Sequence, residues 1–335
     1  MAKIVNSHDT RHVPLHVGIP LKTPMTIIVM PCAECNFQCS YCLHSEKTYH
    51  TSNVVKRMSI NTAKRLAEQC KAFPDVIKRI TLAGLGEPLM MQQEICDIVR
   101  ILKDANISKS VAIATNGYLL SESISDALID AGLDLLRISI QGLDDKTYET
   151  ITSRRVSLSK IIENIRYYYR NKKNDAIVYV KILDLALGAY SQEAFFKTFE
   201  DVCDEIAVEH AVPLFSHLHD SIHGRQNIYG QDVSGSSISI CNQPFFSCMV
   251  YPNGDVGSCC AEKTEVFGSI CDSDIHSIWH GMRRREFLLQ QLRGRNNLSI
   301  CQKCLQPEYS TRFEDILDPH IEQIKNQIEN KWPSA

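Results

Sequence analysis

Between residues 25 and 215 six short, almost uninterrupted apolar runs recur: MTIIVMP, IKRITLAG, KSVAIATNG, LDLLRISIQG, DAIVYVKIL and DEIAVEHA. Each is separated from the next by a longer stretch with helical periodicity. Runs this short and this uniformly apolar fit strands buried on both faces of a parallel sheet, whose strand–helix–strand crossovers are right-handed. The pattern therefore predicts an α/β fold, a partial (β/α)6 TIM barrel two units short of the complete eight. Helix ends are marked as well. Ser59 or Asn61 can cap the stretch SINTAKRLAEQCKAF, and Gly132 follows SESISDALIDA as a stop. In such sheets chemistry collects at the carboxyl ends of the strands.

From about residue 220 the texture changes. HDSIHGRQNIYGQDVSGSSISI is polar and rich in Gly and Ser, which reads as a linker or lid. Residues 241 to 268 read as a hairpin with its turn at Asn253-Gly254 between alternating arms. A short helix in SDIHSIWHGM, a basic one in RRREFLLQQLRG and a terminal amphipathic helix interrupted at Pro319 complete the chain. The expected division is a 1–24 N-terminal extension, a 25–219 barrel, a 220–240 linker or lid, a small α+β domain over 241–312 and a C-terminal helix over 313–335.

Composition removes several classes of function. A formal net charge of -3 leaves no basic excess to neutralise a phosphate backbone, and no run of eighteen apolar residues could span a bilayer. Neither nucleic acid nor membrane is expected as a partner. The N-terminus mixes charge, His and Pro where a secretory signal needs an apolar stretch, so the expected location is cytoplasmic. In a reducing compartment the fourteen cysteines point to metal or catalysis rather than disulfides.

Their placement is uneven. Four lie at 32, 35, 39 and 42, and seven at 241, 248, 259, 260, 271, 301 and 304. Cys70, Cys96 and Cys203 stand alone in helix-like sequence, where a buried cysteine acts as a small hydrophobe. Cys35, Cys39 and Cys42, as C-x3-C-x2-C, can give three thiolates to a [4Fe-4S] cluster and leave one iron open. Zinc would need a fourth ligand, which Cys32 or His44 could supply, so spacing alone leaves that open.

This segment resembles the radical SAM superfamily, whose signature is C-x3-C-x2-C after the first strand of a partial barrel. Tyr41 stands where that family places the aromatic residue that contacts adenine. LAGLGEPLM resembles the family's glycine-rich motif, and the resemblance implies that Gly84, Gly86 and Glu87 bind the methionine amino group of S-adenosylmethionine. ATNGYLL is like the family's TNG run, with Asn116 facing the cofactor. LRISIQGLDD is similar to its SIDG run, with Ser139 at a position associated with ribose or carboxylate contacts. Gln141 departs from the more usual Asp. In such a site the open iron holds S-adenosylmethionine, whose reductive cleavage yields a 5'-deoxyadenosyl radical that takes a hydrogen atom from substrate carbon.

CNQPFFSCMVYPNGDVGSCC resembles the start of the SPASM and twitch domains of the same superfamily. The resemblance implies a second [4Fe-4S] cluster on Cys241, Cys259, Cys301 and Cys304, with no open iron, in a twitch-type domain. Cys248 and Cys260 are expected to pack rather than ligate, and Cys271 stays ambiguous. The competing zinc ribbon would show two C-x2-C knuckles, where one exists.

The substrate site must supply its own acid, base or hydrogen donor. Lys181, Glu209 and His210 are the candidates at the barrel mouth, with His217 and His219 just beyond. The expected reaction is dehydrogenation of a small polar molecule such as a sugar, sugar nucleotide or aminocyclitol, with an electron donor such as flavodoxin or ferredoxin. Epimerisation or rearrangement of a carbohydrate, and modification of a peptide, are the alternatives. A non-enzymatic iron-sulfur or zinc protein comes last. Only about twenty-five residues precede the first strand, too few for a winged-helix peptide-recognition domain, which favours the small molecule.

Overall fold

The computed structural model describes residues 2–5, 13–45, 55–173, 175–213, 225–261 and 264–333. Ten strands form one sheet: β1 (Lys3–Ile4), β2 (Thr26–Val29), β3 (Arg79–Leu82), β4 (Val111–Thr115), β5 (Leu135–Ile140), β6 (Ile177–Leu183), β7 (Glu205–Glu209), β8 (Ser247–Val250), β9 (Asp255–Gly257) and β10 (Val266–Ser269). Their order is β1-β7-β6-β5-β4-β3-β2-β8-β9-β10. The six parallel strands β2 to β7 are the six apolar runs, pairing in sequence order as a partial barrel does.

The helices between them are α1 (Ile60–Cys70), α2 (Gln93–Asp104), α3 (Glu122–Asp130), α4 (Asp145–Thr152), α5 (Leu158–Asn171) and α6 (Gln192–Phe199). Ser59, not Asn61, caps α1, its side chain accepting from the Thr62 amide at 3.0 Å. Gly132 follows α3 at φ +80°, the left-handed conformation that ends helices most readily in glycine. Alternation along each strand sorts the side chains. Ile27, Val29, Ile80, Leu82, Ile113, Ile138, Val180 and Ile182 face the helices and belong to the main core. The opposite faces look into the barrel, where Ala112, Leu135, Tyr179 and Ala207 form a separate buried plug. Above that plug the inner face turns polar.

Two features lie outside the sequence expectation. The N-terminal extension is not loose, since β1 adds to β7 in parallel. The C-terminal segment does not stand apart either. Its first strand, β8, pairs in parallel with β2, Thr26 opposite Ser247 through Val29 opposite Val250. The expected hairpin is β8–β9, turned at Asn253-Gly254 with Gly254 at φ +91°, and β10 extends it to three strands.

Beyond β7 come α7 (Gln243–Phe246), α8 (Ile275–His280), α9 (Met282–Gln291), α10 (Gln306–Ser310) and α11 (Ile321–Lys331). α11 begins just after Pro319, as the break there predicts. The described part of the Gly- and Ser-rich stretch, residues 225–240, is packed rather than a free spacer. Asn227 is buried and donates to the Thr311 carbonyl, and Ile238 and Ile240 are buried. Cys70, Cys96 and Cys203 are buried and apolar in setting, although Cys203 sits in the turn after α6 rather than in a helix. Among the described residues, no helix is long and apolar enough to cross a membrane.

Candidate functional site: one cavity at the barrel mouth and a second four-cysteine cavity

The loop leaving β2 carries the first cysteine triplet over the carboxyl ends of the strands. A cavity of about 500 Å³ lies there, lined by Cys35, Cys39 and Cys42, by Tyr41, Gly84, Gly86, Glu87, Asn116 and Ser139, and by Lys181, Glu209 and His210. Cys35, Cys39 and Cys42 form one end. Burial pushes the Cys35 thiol up to about 12, Cys39 higher still with Cys42 and Cys35 adding repulsion, and Cys42 upward as well. Thiols in that state stay protonated at neutral pH. A cationic iron core restores the missing positive charge, so the donor set fits a cluster that binds with release of protons.

The other two zinc candidates are engaged elsewhere. Cys32 is buried, with its sulfur accepting from the Glu34 amide at 3.3 Å, and His44 Nε2 is bonded to the Leu85 carbonyl. Among the described residues, no three His, Cys, Asp or Glu side chains converge as a single-ion site. A tetrahedral zinc would hold each sulfur about 2.3 Å from the ion.

The glycine-rich turn after β3 is pressed against this loop. A Cβ on Gly86 would lie 2.2 Å from the Cys32 carbonyl oxygen and 2.8 Å from that of Glu34, so no other residue fits there. Beside it the Glu87 amide donates to the Glu34 carbonyl at 2.8 Å. Gly84 stands at φ +140° with Met30 and Met249 close by. Glu87 lines the cavity but its carboxylate is already engaged: Oε1 accepts from Thr115 Oγ1 at 2.7 Å and the Leu89 amide at 2.9 Å, Oε2 from the Asn116 amide at 2.8 Å. Burial pushes its carboxyl upward against those hydrogen bonds. Glu87 thus joins the end of β3 to the end of β4. Asn116 completes the bracket by donating from Nδ2 to Asn36 Oδ1 at 2.8 Å, within the cysteine loop. The Tyr41 hydroxyl is buried without a partner, an orphaned polar atom at the cofactor end, and Gln141 Oε1 is another on the cavity wall.

The far end is charged. Alternation places Arg137 and Ser139 of β5, Tyr179 and Lys181 of β6, and Glu209 of β7 on the inner face, with Arg137 opposite Tyr179 and Ser139 opposite Lys181 in register. Glu209 accepts from Tyr179 Oη at 2.8 Å and is ion-paired with Lys181. Arg137 stands 3.9 Å from Glu209 and 5.5 Å from the Tyr179 ring centroid. Burial works to raise the Glu209 carboxyl, but Lys181 and Arg137 outweigh it and hold it below its ordinary value. His210 also reaches the cavity, and its Nδ1 lies 3.1 Å from Asp184 Oδ2. His217 and His219 lie outside the described residues. Thr115, Arg137, Tyr179 and Asp184 escaped the sequence reading, although Arg137 and Tyr179 each sit two positions before a chosen residue on the same strand face.

Cys241, Cys259, Cys301 and Cys304 line a second cavity, between α9 and the β9–β10 turn. Burial raises the Cys241 thiol well above its ordinary value and Cys301 to about 12, with the neighbouring sulfurs adding to both. These are the four expected ligands. Gln291, absent from the sequence reading, is buried against them. Arg295 braces the segment through the Ile238 and Cys304 carbonyls and through Glu308. Cys248 is buried on β8, and Cys260 packs beside Met30, Ala33 and Met249. Neither lines the four-cysteine cavity. Cys271 is exposed, its sulfur facing the Asn253 carbonyl.

Known proteins place this arrangement. A probable GTP 3',8-cyclase of Methanocaldococcus jannaschii is 36% identical over 119 residues, 36% of this chain and 37% of the relative. The GTP 3',8-cyclase of Staphylococcus aureus is 28% identical over 134 residues, 40% of this chain and 38% of the relative. The chain spans well under two thirds of the length of both. Solved structures share the fold over most of the chain. BtrN in complex with AdoMet and 2-DOIA has a TM-score of 0.55 at 18% identity, covering 88% of this chain and 98% of that one. Streptococcus suis SuiB bound to S-adenosylmethionine has a TM-score of 0.59 at 14% identity, covering 86% and 72%. Residues 29–200 match the Radical SAM superfamily and residues 241–305 match SPASM, an iron-sulfur cluster-binding domain. With its triplet of cysteines over the barrel mouth and four more gathered behind it, the chain belongs to the radical SAM superfamily and carries a C-terminal SPASM domain.

Proposed function

We propose that this radical SAM enzyme removes two hydrogens from a small polar molecule such as a sugar, sugar nucleotide or aminocyclitol. The observation that carries the reading is that the cysteine triplet and the Arg137, Lys181, Glu209 and His210 group face one another across a single cavity of about 500 Å³. That is within the size range of small-molecule pockets. When bound at Cys35, Cys39 and Cys42, the cluster and S-adenosylmethionine supply a radical that abstracts a hydrogen atom.

The chain's own residues then have three tasks. Tyr41, Gly84, Gly86, Glu87, Asn116 and Ser139 hold the cofactor end. Asp184, by accepting the Nδ1 proton of His210, leaves the Nε2 lone pair free, and His210 can take the hydroxyl proton of the substrate. Lys181 and Glu209 fix the substrate as an ion pair at the cavity wall. Oxidation also requires one electron to leave, and the four-cysteine cavity offers a site for an acceptor with all ligands from the protein. An electron donor such as flavodoxin or ferredoxin, in the cytoplasm, belongs to the same reading.

A second reading is supported by the matched relatives, whose names are those of GTP 3',8-cyclases: a rearrangement of a nucleotide without net oxidation. Mass spectrometry of products from a panel of sugars, sugar nucleotides and aminocyclitols separates the two. Loss of two hydrogens with one 5'-deoxyadenosine per turnover is the expected result. A product of unchanged mass overturns it in favour of rearrangement or, if solvent deuterium enters, epimerisation. Replacing Cys35, Cys39 and Cys42 by Ala must abolish 5'-deoxyadenosine formation.

A further inference from the structure

The polar end of the cavity is not electrically balanced. Glu209 is the carboxylate between Arg137 and Lys181, and it is already satisfied by Tyr179 Oη and by Lys181. Arg137 is left over. Its Nε is buried without a hydrogen-bond partner, and its nearest carboxylate oxygen is at 3.9 Å, beyond hydrogen-bonding distance. The face of Tyr179 supports the guanidinium from one side, which orients the fork without using its donors. Glu87 and Asp184 do not correct the imbalance. Glu87 lies at the cysteine end, held by Thr115, Leu89 and Asn116, and Asp184 is engaged by His210 and the Ala211 amide. A half-buried arginine whose Nε has no partner, lining a cavity beside a lysine whose ammonium has further protons to give, is an arrangement that binds a planar or tetrahedral oxyanion through two parallel hydrogen bonds.

We infer that the substrate carries an oxyanion, a phosphate or a carboxylate, that is bound by Arg137 and Lys181 with Glu209 holding the two cations apart. The inference rests on the proposed function, since it assigns this end of the cavity to substrate rather than to S-adenosylmethionine. It narrows the substrate class: of the small polar molecules considered above, a sugar nucleotide or another phosphorylated or carboxylated molecule fits, and an uncharged sugar does not. His210, just past the end of β7, then faces the part of the molecule beyond the anion.

The test is calorimetric titration of pyrophosphate, and separately of malonate, into anaerobic protein with both clusters reconstituted and saturated with S-adenosylmethionine. Saturable binding of either one is expected, and which one binds distinguishes a phosphate from a carboxylate. Arg137→Gln should weaken that binding about ten- to hundredfold, the loss of one charged hydrogen-bonding partner. Arg137→Lys, which keeps the charge and loses the fork, should fall between, and iron content certifies that each variant is folded. Binding of neither anion overturns the inference, as does equal binding by wild type and Arg137→Gln. So does the finding that Arg137→Gln weakens S-adenosylmethionine instead, which would give the arginine to the cofactor. Failure of the oxidation reading shows elsewhere, as a product of unchanged mass, and leaves the anion titration as it was.

Discussion

Gln291 Nε2 donates a hydrogen bond to Cys301 Sγ at 3.2 Å, while its Oε1 accepts from the Cys241 amide at 3.4 Å. The amide is 1% exposed, so this geometry is set by packing on α9 and not by solvent. A hydrogen bond to a ligand sulfur stabilises the more electron-rich state of a cluster. With about 1 kcal/mol for a neutral hydrogen bond and 59 mV for each tenfold change in a one-electron couple, Gln291→Leu should lower the midpoint potential of the auxiliary cluster by roughly 40 mV. An EPR-monitored redox titration reads this directly. Full iron content with an unshifted potential would show that the amide only fills space.

Gly86→Ala tests the contact between the glycine-rich turn and the cysteine loop. The added methyl would meet two backbone carbonyls, which cannot rotate away as a side chain does. One loop must move, at a cost of about 1–3 kcal/mol or more, and the triplet moves with it. The expected outcome is loss of about four of about eight irons with the auxiliary cluster retained. Retention of all the iron, together with unchanged affinity for S-adenosylmethionine, would show that the two loops are not coupled.

Removing the cation beside Glu209 should make stability depend on pH in a defined direction. The folded Glu209 carboxyl lies below its ordinary value of 4.5, so its contribution is present above about pH 4.5 and is lost as pH falls through the folded value. Lys181→Met leaves Arg137 and Tyr179 in place and should cost about 1.5–3 kcal/mol at neutral pH, the range for a hydrogen bond to a charged group. In melts of variant and wild type run side by side, the gap in Tm should be widest near pH 7 and close below pH 4.5. A gap independent of pH would assign the loss to packing of the lysine stem.

Cys301→Ala with Cys304→Ala removes two of the four expected ligands at the second site, which closes a segment running from residue 241 to residue 304. Loss of the cluster should loosen that segment as well as lower iron, because metal binding and folding are coupled. Substrate turnover should vanish while some 5'-deoxyadenosine is still made at the first cluster. Turnover that survives without the second cluster would remove it from the electron path.

Much of this architecture is legible in the sequence because its signals are local. The six strands announce themselves as apolar runs, and the cysteines, Gly86 and Glu87 sit at strand ends where short spacings decide which backbone groups can meet. What the sequence hides is set by partners far along the chain. β1 is two residues long and owes its existence to β7, and nothing in SCMV states that it will lie parallel to TIIV more than two hundred positions earlier. Glu87 reads as a cofactor ligand, yet the three donors that hold it come from two different segments. Arg137 was within reach: Leu135, Arg137 and Ser139 share one face by simple alternation, and an arginine in an otherwise apolar strand needs a reason to be there.

The in-register pairing of β2 with β8 also bears on how charge moves through the molecule. β2 feeds directly into the loop that bears Cys35, Cys39 and Cys42, and β8 leads through one tight turn to Cys259. The two redox sites are thus anchored on one continuous hydrogen-bonded sheet, the first beyond the end of β2 and the second beyond the end of β9, with β8 between those strands. Electron tunnelling falls off steeply with separation, and here that separation is set by a covalent and backbone-bonded scaffold.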